Sequence, residues 1–125
     1  MTASVTASLR SPFSAHEAGL SLFNAVVRHD KTQEASLLPL CKELINQGAD
    51  VTVRGAENRA AAEWCVRKNF PGVLALIFAK LSDHPASAEK YSVIQDAYDV
   101  SRCFNNNAAT LAEKVFKQLT PQPGQ

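Results

Sequence analysis

Apolar residues along this chain return at three- and four-residue intervals in six successive blocks, a spacing that predicts helices. Ser14-Ala15-His16-Glu17 reads as a capping box opening the first helix, which carries Leu22, Phe23, Val26 and Val27 and ends near Asp30. The second runs between Glu34 and Gln47 on a stripe of Leu37, Leu40, Cys41, Leu44 and Ile45. Pro39 cannot donate its amide, which predicts that the regular helix starts near it or bends there. Gly48 then stops the helix at C′. Asn58 is the expected cap of a third helix from Arg59 to about Lys68. Pro71 suits the first turn of a fourth, nearly all apolar from Val73 to Leu81 and so the element expected to be most buried. A fifth is expected from about Ser87 to Phe104, and a sixth, after Asn105-Asn106-Asn107, around Leu111, Val115, Phe116 and Leu119.

Between the second and third helices the period changes. Val51 and Val53 alternate with Thr52 and Arg54, and Gly55 permits a turn, so Ala49–Glu57 reads as a strand-like finger too short for a sheet of its own. Helix, finger, helix, tight turn, helix is a unit suited to presenting a surface, and its copies are sought at periods of 20–50 residues. Leu44-Ile45 matches Ile77-Phe78 at a spacing of 33, and Ala25-Val26 matches Cys65-Val66 at 40. Ala97-Tyr98 lies 32 beyond Cys65-Val66. The longer first interval is absorbed by an inserted loop at Asp30–Gln33.

At Leu44-Ile45-Asn46-Gln47-Gly48-Ala49-Asp50-Val51 the chain resembles the ankyrin-repeat family, whose unit is a turn plus two helices. The resemblance is best over residues 37–81 and weaker over 15–36 and 86–119. It implies an all-α fold: three stacked helix-turn-helix hairpins forming a short, irregular solenoid over residues 14–120. Departures fall at Ala60, Ala62 and Glu63, where the family carries Thr, Leu and His, and at Asn69-Phe70, where it carries Gly-His. The hydrogen bonds lost there would each remove about 1 kcal/mol. The Glu63 carboxylate then needs water or a basic neighbour, Arg59 or Arg67. In the family, partners dock on the concave side formed by fingers and first helices. The matching positions are Thr52, Arg54, Ala56 and Glu57 on the finger, and Arg59, Glu63, Arg67 and Lys68 on the third helix, with Trp64 next to them as a further candidate.

Composition narrows the function. Thirteen basic against twelve acidic residues give no field to recruit a polyanion, which speaks against nucleic acid. The longest apolar run, Val73 to Ala79, is far below the roughly 20 residues a membrane span needs. Cys41, Cys65 and Cys103 each fall in an apolar helical pattern, as buried thiols of a reducing, cytoplasmic compartment would. Residues 1–13, rich in Ser and Thr, are expected as a tail, or as a secretion signal that would place the chain in a host cytosol; 121–125 are a second tail.

His16, His29 and His84 lack metal-ligand spacing, and no nucleophile motif or phosphate-cradling loop is present. The expected function is therefore a non-enzymatic protein-binding module without metal or cofactor, using the finger (50–58) and the helix after it (59–68). The alternative is a compact helical inhibitor, immunity-type protein or secreted effector or adaptor, acting alone or as a homodimer. Trp64 serves either as packing between hairpins or as an aromatic anchor.

Overall fold

A computed structural model describes residues 14–30 and 32–119; the expected tails at 1–13 and 121–125 lie outside the described residues. These hold six α-helices: α1 (Ala15–Arg28), α2 (Glu34–Asn46), α3 (Ala61–Lys68), α4 (Pro71–Asp83), α5 (Ala88–Ser101) and α6 (Asn107–Leu119). No strand occurs among the described residues, so the fold is all-α. Each odd-numbered helix packs on the next even-numbered one. The odd helices touch in the order α1, α3, α5 and the even ones in the order α2, α4, α6. The core runs between these two rows, with Phe70, Leu22, Leu37, Leu74, Ile77 and Ile94 among its fully buried side chains.

Local chemistry sets the helix ends. Ser14 and Glu17 form the capping box that opens α1, with the Glu17 amide donating to Ser14 Oγ at 3.1 Å. Gly48 closes α2 at φ +95°, where a side chain would be strained. Pro39 lies inside α2, which starts at Glu34. The helix runs past it because Ala35, whose carbonyl loses its amide partner, and Pro39 are both exposed, so water can serve that oxygen. α3 begins two residues later than the sequence predicts. Glu57 and Asn58 adopt left-handed conformations at φ 61° and 59°, and Ala60 occupies the N-cap instead of Asn58. α5 ends at Ser101 rather than Phe104, leaving Cys103 and Phe104 exposed. Cys103 is thus not a core thiol.

The finger is a loop rather than a strand. Its one ladder element is the antiparallel bridge Arg54–Ala60, closed by the Gly55 amide on the Arg59 carbonyl at 2.9 Å. The loop crosses the start of α1, where the Asp50 amide donates to the Ala15 carbonyl at 2.9 Å. Close approach requires glycine in α1: a Cβ on Gly19 would sit 2.3 Å from the Asp50 carbonyl oxygen.

Candidate functional site

The positions expected to form a docking surface lie together on the finger and α3, and most of their polar groups are engaged within the chain. Thr52 is half-buried, its hydroxyl donating to Asp50 Oδ1 at 2.6 Å. This turn-forming contact holds the first bend of the finger. Arg54 reaches across to α5: Nη2 meets Asp96 Oδ2 and Ser92 Oγ, each at 2.7 Å, while Nη1 donates to the Asn58 carbonyl at 2.9 Å. Its guanidinium ties the finger to the third hairpin, with its fork filled on both sides.

Arg59 lies between two carboxylates. It donates from Nε to Glu57 Oε1 at 3.0 Å and from Nη1 to Glu63 Oε2. The bonds to Glu57 and then to Glu63 raise its already high pKa, so it stays a cation throughout. Glu63 is only 5% exposed, and Arg59 is the basic neighbour its carboxylate needs. Glu57 remains exposed at the tip. Lys68 is half-buried and sends Nζ to the carbonyl oxygens of Val27 and, at 2.7 Å, His29. It satisfies carbonyls left over at the end of α1, a place where a cation also suits the helix dipole.

Trp64 and Arg67 remain. They stand one turn apart on α3, both half-buried, with the Arg67 guanidinium carbon 5.8 Å from the Trp64 ring centroid. Stacking on an aromatic face holds an arginine fork rigid at small entropic expense. Trp64 Nε1 and Arg67 Nε are buried without acceptors, whereas neither Nη of Arg67 is, so the Nη pair is what a ligand can reach. Trp64 also packs against the core, so its ring is both structural and partly presented.

Elsewhere a shallow cavity of about 430 Å³ opens between α1 and α2, lined by Asn24, Arg28, Leu40 and Leu44 among others. Burial pushes the Cys41 thiol up to about 12 and that of Cys65 well above its ordinary range, so neither is a ready nucleophile. No group of three metal-ligating side chains converges among the described residues, and no described helix is long and apolar enough to cross a membrane.

Several organising residues escaped the sequence reading. Glu34 Oε2 accepts the Val73 amide at 3.0 Å, placing a carboxylate from α2 at the open start of α4. Lys90, buried, donates to the His84 carbonyl at 2.9 Å and secures the turn before α5. Asn69 ends α3 in a left-handed conformation, and its side chain reaches α6. The signal available for Asn69 was its residue type, since asparagine tolerates φ > 0 at a helix end. Comparison with protein families, with curated proteins and with solved structures yields no match to this chain.

Proposed function

We propose that the chain is a protein-binding module of ankyrin type, a short solenoid of three helical hairpins that docks its partner on the face around α3 and performs no catalysis. Two features support the architecture. The helices pack in two parallel rows, and left-handed residues stand at Asn58 and Asn69 where the loops around α3 must turn sharply. The observation that carries the docking surface is the Trp64–Arg67 stack. There a partly presented aromatic ring carries a guanidinium that has no hydrogen-bond or ion-pair partner, and these residue types dominate binding energy at interfaces. Arg54, Arg59, Glu63 and Lys68 act instead as the frame that holds it.

The test is affinity capture from lysate with the wild type beside Trp64→Ala/Arg67→Glu, both checked for helical circular dichroism. A protein retained by wild type and lost by the variant supports the reading; identical captures overturn it. A second reading, self-association, rests on Leu40, which is 43% exposed beside the cavity between α1 and α2. A concentration-dependent sedimentation coefficient abolished by Leu40→Glu would favour it.

A further inference from the structure

Basic residues stand at the C-terminal end of each odd-numbered helix: Arg28 and the cap His29 at α1, Arg67-Lys68 at α3, and the cap Arg102 just past α5. The structure brings these ends to one edge. Lys68 Nζ bonds the Val27 and His29 carbonyls, so α1 and α3 end side by side. Asn106 Nδ2 bonds the Val66 carbonyl and Asn69 Oδ1 accepts the Ala108 amide, so the turn from α5 to α6 lies at the same end of α3. Among the described residues, Arg28, Arg67 and Arg102 make no ion pair or side-chain hydrogen bond. Arg28 and Arg102 are exposed, and Arg67 is steadied by Trp64. Acids close by in the sequence bond elsewhere: Asp30 accepts from Thr32, whose bonds lower its pKa, Asp99 accepts from Gln95, and Glu63, one turn before Arg67, pairs with Arg59. The helix dipole favours cations at each end but does not explain three arginines without counter-ions in one row.

Resting on the docking reading above, we propose that this edge binds an extended acidic segment of a partner protein, one carboxylate to each helix end. Packed helix axes lie about 8–10 Å apart. An extended chain in the polyproline II conformation has three residues per turn and rises about 3.1 Å per residue, so carboxylates three residues apart share one face about 9 Å apart, a spacing that suits Arg28, Arg67 and Arg102 on neighbouring helices. Each arginine offers a planar fork to a carboxylate. The row is too sparse for nucleic acid, whose strands carry a charge every 3.4 Å or so, and the chain's thirteen cations are balanced by twelve acids.

The chain has one tryptophan, so a non-aromatic peptide can be titrated against Trp64 emission. The probe is a synthetic peptide with Glu at every third position and Ser or Gly between. The expected result is a saturable, salt-sensitive change, weakened about tenfold by Arg67→Gln and severalfold by Arg28→Gln or Arg102→Gln, with Lys114→Gln on α6 unchanged. The proposal is overturned by no saturable change up to millimolar peptide, or by equal weakening in Lys114→Gln. It is equally overturned if a single-stranded oligonucleotide binds at least as tightly, or if the same glutamates clustered in one run do. Should the peptide fail while lysate capture still depends on Trp64, the docking face stands and its acidic chemistry falls.

Discussion

Asn69 and Asn106 close each other's helices. Asn106 Nδ2 donates to the Val66 carbonyl at 3.2 Å where α3 ends, and Asn69 Oδ1 accepts the Ala108 amide at 3.1 Å where α6 begins. Asn106 also caps its own helix through the Ala109 amide at 2.7 Å. Asn69→Ala therefore loses a cap and strains a left-handed residue, whereas Asn69→Gly loses the cap alone. The expected losses are about 2 and about 1 kcal/mol, read from urea denaturation midpoints. Equal losses would show that the backbone conformation at this position is not a constraint.

That pair marks the boundary of what was legible in the chain. Periodicity, the Ser14–Glu17 box, Gly48 and Pro71 are local signals, so six helices in nearly their observed places could be read directly. Bonds such as Arg54 to Asp96 or Glu34 to Val73 join residues about 40 positions apart, and no local rule selects their partners. The candidate docking residues lie together on the finger and α3, yet the contacts that engage most of them did not follow from the sequence. The resemblance to the ankyrin unit put Arg54 and Lys68 among the expected docking positions, whereas tertiary contacts occupy their charges. The late start of α3 has the same origin: the Arg54–Ala60 bridge and two left-handed residues outcompete a cap at Asn58.

Gly19 and Gly48 predict different failures. At Gly19 a Cβ would meet the Asp50 backbone oxygen at 2.3 Å, and backbone cannot swing aside, so Gly19→Ala should cost about 1–3 kcal/mol or more. At Gly48 there is open space but φ is +95°, so Gly48→Ala should cost about 1 kcal/mol through backbone strain alone. Thermal melts of the two variants would rank them. A milder effect at Gly19 than at Gly48 would contradict the close crossing of the finger over α1.

The three thiols should separate cleanly. Cys103 is exposed, whereas Cys41 and Cys65 are buried. With its pKa pushed up to about 12, Cys41 is about one part in ten thousand thiolate at pH 8. A thiol reagent should modify one equivalent rapidly in the native state and three after denaturation. The linkage has a definite sign: above pH 9 the unfolded chain releases the Cys41 proton and the folded chain retains it until about 12. Stability therefore falls as pH rises through that window. Cys41→Ala should flatten the decline between pH 8.5 and 10.5, followed by the urea midpoint; an unchanged slope would place its cause elsewhere.

Arg67 and Lys68 are adjacent, alike in charge and opposite in consequence. Lys68 Nζ serves two carbonyl oxygens at the end of α1 from a half-buried position, and removing a charged donor from such groups costs about 1–2 kcal/mol. Arg67 contributes a contact over Trp64 worth about 0.5–1 kcal/mol and has no acceptor to abandon. Lys68→Ala should thus lower the denaturation midpoint more than Arg67→Ala does, while Arg67→Ala should weaken partner capture more than Lys68→Ala does. The two measurements must move in opposite order. If both variants lose binding in proportion to stability, α3 has no presented cation and its basic end is only a helix terminus.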